Sequence, residues 1–312
     1  MLKKIAENIF LLQVTFPFGI REVNSYLFKG ENGYTVIDTG SEAEESILLW
    51  QEVIRSGIHI EKVVLTHIHP DHVGLAEWFQ REHSIPIHMS RHGYEEIQLI
   101  QSSEIDPSIL EELVIKNGGQ KVPTELLSLD PTPYQFTPDY VFENHEQIMI
   151  GDERFVAIWT PGHSSDHYCF YNHEKEILIA GDHILQDISP IIYFSFIYPN
   201  ENSMKQYLQS LDIIQSYPTK LCLPGHGMIF EDVQKRALEI KAGHERRLEE
   251  ILTLLSDKDM TIAEIVMKQY KPTKPSRFFG PFITTMARMK YLQEEGMVQL
   301  EVKAGLNTYI NS

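Results

Sequence analysis

Leu65-Thr66-His67-Ile68-His69-Pro70-Asp71-His72-Val73-Gly74 places three histidines and an aspartate within six residues, directly behind the apolar run Val63-Val64-Leu65. The run reads as a short β-strand ending at Thr66. The polar residues then form a tight turn, and a helix beginning around Gly74 fixes their directions. Imidazole and carboxylate donors suit zinc and other borderline first-row cations. A lone loop histidine is ordinarily solvated or merely hydrogen-bonded. Four donors this close predict a metal-binding loop.

One loop cannot close two coordination spheres, so further ligands are expected at other strand ends. Three apolar runs supply candidates: Phe155-Val156-Ala157-Ile158-Trp159 leads to His163, Ile177-Leu178-Ile179-Ala180 to Asp182, and Leu221-Cys222-Leu223 to His226. Each run passes through a glycine before its candidate ligand.

The ordered set His67, His69, Asp71, His72, His163, Asp182, His226 resembles the metallo-beta-lactamase superfamily. Val23-Asn24-Ser25-Tyr26-Leu27 and Val36-Ile37-Asp38-Thr39-Gly40 are similar to its opening strands, so the likeness runs from about Ile5 to His226. The resemblance implies an α/β fold, the αβ/βα four-layer sandwich. It implies two divalent cations, zinc foremost with manganese or iron(II) also suited. His67, His69 and His163 would hold the first, and Asp71, His72 and His226 the second. Asp182 would bridge them, and Asp38 would stand behind the ligands. A hydroxide shared by the two cations would be the nucleophile, because zinc lowers the pKa of bound water to roughly 7. Asp71 would serve as proton acceptor as well as ligand. Many lactamases of this superfamily lack the bridging aspartate, so Asp182 points away from them, and Glu is usual at the place of His69 in oxygen-reducing di-iron members.

The chain has 312 residues, 42% of them hydrophobic, enough for one large domain and a small one. Glu7, Asn8 and Gln13 interrupt any signal-peptide core behind Lys3 and Lys4, and no membrane-length apolar run follows, so the expectation is a cytoplasmic protein without a membrane partner. Cys169 and Cys222 sit inside apolar runs and read as small buried hydrophobes. The net charge is −17, yet residues 232–312 hold 13 Lys and Arg against 11 Asp and Glu, leaving −19 on residues 1–231. The division expected is therefore 1–231, catalytic, and 232–312, C-terminal.

Val233, Ala237, Ile240, His244, Leu248, Ile251 and Leu255 recur every three or four residues and predict one long amphipathic helix, with His244 a candidate interface residue. Thr261-Ile262-Ala263-Glu264 reads as a capping box opening a second helix, and Pro281 to Glu295 as a third. Met297 to Val302 and Asn307 to Ile310 then form two strands. Three helices and a hairpin resemble a winged helix, such as the one appended to a beta-lactamase-like endoribonuclease. Lys271, Lys274 and Arg277 make only a modest basic loop, so packing or dimerisation is favoured over nucleic-acid binding.

Two segments should shape specificity. Residues 91–146 begin with two helices, near Gly93 to Gln101 and Pro107 to Asn117, continue through a Pro-rich loop, and form a candidate lid. Asp187 to Pro199 carries Tyr193, Phe194 and Tyr198, candidates for an apolar substrate pocket. The reading that results is metal-dependent hydrolysis of a small ester-like substrate, thioester or lactone, by a monomer or homodimer. The alternatives are an endoribonuclease and a regulatory binding protein that acts through its winged helix.

Overall fold

A computed structural model describes residues 2–15, 22–102, 108–120, 131–194, 198, 200–274 and 277–312. The first sheet runs β1 (Lys3–Ala6), β2 (Ile9–Thr15), β3 (Glu22–Lys29), β4 (Tyr34–Ile37), β5 (Ile60–Val64), β6 (Ile87–Ser90) and β7 (Tyr140–Phe142), in that spatial order. It is antiparallel up to β4 and parallel from there on. The second contains β8 (Gln147–Ile150), β9 (Glu153–Trp159), β10 (Tyr168–Asn172), β11 (Ile177–Gly181) and β12 (Leu221–Pro224). Only its β11–β12 pair is parallel.

Successive strand residues face opposite ways, and here both faces are buried. Ile9 and Leu11 of β2 meet Phe155 and Ala157 of β9 and Phe170 of β10 in the layer between the sheets. The alternate residues of the first sheet, Leu12, Val14, Leu27 and Val36, pack outward against Trp50 of α1 (Glu44–Arg55) and Phe79 of α3 (Ala76–His83). Those of the second, Ile158, Cys169, Leu178 and Cys222, pack against Tyr207 and Leu211 of α6 (Ser203–Gln215) and Val233 and Ala237 of α7 (Val233–Asp257). The four layers are helix, sheet, sheet, helix, as expected. Both cysteines are buried and free.

The helix expected near Gly74 is α3, which begins at Ala76, and one more helical turn precedes it. Pro70–Val73 form a short turn, α2, with Pro70 in its first positions, so Asp71 and His72 lie on helical backbone. Proline has a preset φ and no amide to lose there. Gly74 then lies under the loop: a Cβ would sit 2.5 Å from the Pro70 carbonyl and 2.8 Å from that of Gly40.

Of residues 91–146, α4 (Arg91–Gln101) is capped by Ser90, whose hydroxyl accepts from the Gly93 amide at 3.0 Å. Then α5 (Ser108–Lys116) packs Val114 into the C-terminal core, and Tyr134 and Phe136 join the core outside the first sheet. Residues 121–130, with Pro123 of the Pro-rich loop, lie outside the described residues.

The C-terminal elements are α7, α8 (Ile262–Tyr270), α9 (Phe279–Glu294) and the hairpin β13 (Val298–Lys303) and β14 (Leu306–Asn311). All seven periodic residues of α7 are buried, and Thr261 and Glu264 form the capping box. The third helix starts two residues before Pro281, which its first turn accommodates because those amides have no intrahelical partner. Among the described residues no helix is long and apolar enough to cross a membrane.

Candidate metal centre

Four strands converge on one edge of the sandwich, each releasing its ligand candidate just past its carboxyl end. Residues beyond β5 carry His67, His69, Asp71 and His72; β9 leads to His163, β11 to Asp182 and β12 to His226. Among the described residues, three groups gather donor atoms within 4.8 Å of one another: His67, His69 and His163; Asp71, His72 and His226; and His67, His72 and Asp182. The first two are the sets the family resemblance implied, and the third ties one to the other. The Asp182 carboxylate lies 3.5 Å from His72 Nε2 through Oδ1. Through Oδ2 it lies 3.5 Å from His163 Nε2 and 3.3 Å from His226 Nε2. His226 Nε2 also stands 3.2 Å from Asp71 Oδ2.

Four of the five rings are oriented from behind. His163 Nδ1–H donates to the Ile191 carbonyl at 2.7 Å and His226 Nδ1–H to that of Glu22 at 2.8 Å. His72 Nδ1–H donates to Asp38 Oδ2 at 2.8 Å. Thr66 donates its hydroxyl to the same carboxylate at 2.8 Å, so its lone pair accepts from His67 Nδ1–H at 2.9 Å. These acceptors hold the proton on Nδ1 and aim four Nε2 atoms inward. His69 presents Nδ1, which stands 3.0 Å from His67 Nε2. His72 Nε2, His163 Nε2 and Asp182 Oδ1 are buried and have no hydrogen-bond partner. Orphaned donors converging in this way fit a pair of divalent cations.

The electrostatics separate the triads. Burial holds His67 and His163 below the usual imidazole range, and burial together with His163 lowers His69 to about 3, so the first triad is neutral. Burial would lower His72 and His226 as well. Asp182 overrides it, driving His72 well up and His226 to about 10. Burial would raise Asp182, but His226 and His72 hold it well below the carboxylate range.

Asp38 lies behind His72 and Thr66, buried and with φ of +56°, an uncommon conformation for any residue but glycine. Its Oδ1 also accepts from the Thr66 amide at 2.8 Å. Gly225 shows the same tightness, since a Cβ there would sit 2.4 Å from Asp182 Oδ1 and 2.7 Å from the His72 ring. Tyr193 lies against the ligands, its ring 4.9 Å from His69 and 5.7 Å from His163. Phe194 packs on the C-terminal core, and Tyr198 stands among Glu96, Glu95 and Glu201, where burial and those charges raise its hydroxyl to about 12.

Sequence reasoning missed Asp166. Its Oδ2 accepts from the Ile68 amide at 2.9 Å, holding the ligand loop from below, while Tyr134 donates to the Ile68 carbonyl at 3.2 Å. Burial pushes Asp166 up to about 7, and burial with the Asp166 charge raises Glu96 well above its ordinary value. The one signal was position, three residues after His163. His167 accepts from the Asp182 amide at 3.0 Å and so sets the direction of that residue.

Paired nitrogen and carboxylate triads around one shared carboxylate, on the edge of an αβ/βα sandwich, are the equipment of a metal-dependent hydrolase. Residues 18–226 match the model of the metallo-beta-lactamase superfamily, and the chain belongs to that superfamily. It is 24% identical over 308 residues to a probable metallo-hydrolase, YqjP, of Bacillus subtilis, which covers 93% of each chain. A solved metallo-beta-lactamase family protein of Thermus thermophilus superposes with a TM-score of 0.85 at 27% identity, covering 98% of this chain and 99% of that one. Over 130 residues, 40% of this chain and 38% of the relative, it is 29% identical to an atrochrysone carboxyl ACP thioesterase of Aspergillus fumigatus.

Proposed function

We propose that this protein hydrolyses a small ester-like substrate, a thioester or lactone, with two divalent cations, zinc foremost and manganese or iron(II) as alternatives. The observation that carries this reading is the placement of Asp182, within 3.5 Å of Nε2 atoms from both triads. Such a cation pair supplies Lewis acidity and lowers the pKa of water toward roughly 7, so that no Ser or Cys nucleophile is required. The chain's own residues do the rest. Asp71, beside His226, can take up a proton released in the cleft. Tyr193 has its hydroxyl raised by burial and then by Asp71 and Asp182, so it stays protonated at neutral pH and can donate to a carbonyl oxygen.

The thioesterase named above supports an acyl substrate. The endoribonuclease reading needs a cationic path to the metals, whereas residues 1–231 carry −19. We read residues 232–312 as a winged-helix-like unit that backs the cleft. Phe282 through Met289 of α9, the helix that would enter a groove, are buried, which supports packing over nucleic-acid reading.

The test is turnover by zinc- and manganese-loaded protein of a thioester, a lactone, a phosphodiester and single-stranded RNA, with Asp182→Ala as the blank. Thioester or lactone hydrolysis lost in the variant is expected. RNA cleavage alone would replace the proposal with the nuclease, and silence on both acyl substrates would leave the binding-protein reading in its place.

A further inference from the structure

Behind the metal edge lies an open cavity of about 450 Å³ lined by α7, the end of α8, the first half of α9 and the strap Ser189–Ile191. Its lining includes Arg246, Arg247 and Arg288 and no Asp or Glu. Arg288 is only 4% exposed and His244 only 2%. The guanidinium donates to the Tyr270 hydroxyl at 2.7 Å and to His244 Nδ1 at 3.1 Å, and its Nε has no partner. Because His244 accepts through Nδ1, its neutral ring carries the proton on Nε2, and that donor is also buried and unpartnered. Glu250, the acid whose charge reaches Arg288, is taken by Arg247 at 2.7 Å and by Gln269 at 3.2 Å. Arg247 lies over the Tyr270 ring, 4.7 Å from its centroid.

A guanidinium does not lose its charge, so Arg288 is a buried cation whose hydrogen-bond partners among the described residues are neutral. Proteins keep such a charge where a counter-charge arrives. We propose that this cavity binds an oxyanion, the phosphate or carboxylate group of a small ligand, held by the Arg288 guanidinium at its floor with Arg247 beside it and Arg246 at the exposed rim. The strap forming one wall also touches the metal centre. Ile191 gives its carbonyl to His163, and the Ile192 amide donates to Thr284 Oγ1 of α9 at 3.2 Å. The oxyanion site is therefore one strap removed from the metal ligands and does not depend on which substrate they turn over.

The experiment is calorimetric titration of the full-length, metal-loaded protein with inorganic phosphate and, separately, with succinate, at low ionic strength where the arginine field is least screened. Phosphate also meets the metal centre, so the quantity read is the component that depends on the cavity. Arg288→Met removes the buried charge, and Arg246→Glu reverses a rim charge without touching the core. We expect saturable binding that weakens at least tenfold in Arg288→Met and several-fold in Arg246→Glu, with metal content unchanged. A response to phosphate alone identifies a phosphorylated ligand and one to succinate alone a carboxylate. If Arg288→Met does not fold, Arg246→Glu decides. Titrations indistinguishable between wild type and the folded variants, for both anions, would overturn the proposal.

Discussion

Asp38 concentrates three jobs in one side chain: it accepts from the Thr66 amide, the Thr66 hydroxyl and His72 Nδ1–H, each at 2.8 Å. Two ligand rings are thereby fixed, His72 directly and His67 through Thr66. In Asp38→Asn one oxygen still accepts from the Thr66 amide, but the other position becomes a donor facing two donors. His72 is then driven to the tautomer with its proton on Nε2, the atom that must face the metal. Asn tolerates a left-handed φ much as Asp does, so the backbone is not the source of the effect. We expect the second metal ion to bind about 10–100-fold more weakly, with the circular dichroism unchanged. Competition against a chromophoric chelator measures it, and equal affinities in variant and wild type would remove Asp38 from the centre. The seven ligand candidates were legible because donor-rich turns after apolar runs announce themselves locally. Asp166 was not, because its value lies in meeting the Ile68 amide across 98 residues, a contact only the tertiary fold creates.

At the scale of elements, α7 was the most legible, since seven apolar or aromatic positions at helical spacing all turn inward. The far edge of the first sheet was the least: β6 and β7 are four and three residues long, and their parallel pairing is set by distant partners rather than by a local pattern. The turn α2 ahead of the expected helix gave no separate signal, since Pro70 opens it within the ligand loop itself, and Gly74 after it is required by close packing. His244 on α7 carries a consequence for stability. Burial, then Arg288, lowers its pKa to about 3, while in the unfolded chain it titrates near 6.5. As pH falls below about 6.5 the unfolded state gains a proton that the folded state refuses. The contribution is therefore fully present above that pH and is lost on the way down toward 3, with a slope of up to about 1.4 kcal/mol per pH unit. His244→Gln keeps an acceptor for Arg288 and removes the titration. Urea unfolding between pH 6.5 and 4.5 is expected to show a shallower loss in the variant, and parallel curves would refute the assignment.

For the whole molecule, the C-terminal elements are packed into the rest rather than hung from it. The first half of α7 covers the second sheet, and its second half, through Leu248, Ile251 and Leu255, forms a core with Val114 of α5 and with α8 and α9. Asn202 and Lys205, at the start of α6, reach Glu294 and Glu295 at the end of α9 at 2.7 and 3.1 Å. Deleting residues 258–312 would expose Leu248, Ile251, Leu255 and Val114. At about 1.5–3 kcal/mol each, that loss is roughly 6–12 kcal/mol, comparable to the ~5–15 kcal/mol stability of a typical domain. The truncated chain is therefore expected to aggregate. Thr284→Val asks the question more gently: it leaves the core filled and strands the buried Ile192 amide, at a cost of about 1–3 kcal/mol. Because the neighbouring Ile191 carbonyl orients His163, the first metal ion should bind more weakly in this variant while the second, held by Asp71, His72 and His226, is spared. Stepwise metal removal with a chelator would show the two sites separating. Soluble, folded 1–257 protein carrying two metal ions, or a Thr284→Val variant with unaltered release of both, would mean that the C-terminal elements do nothing for the metal centre.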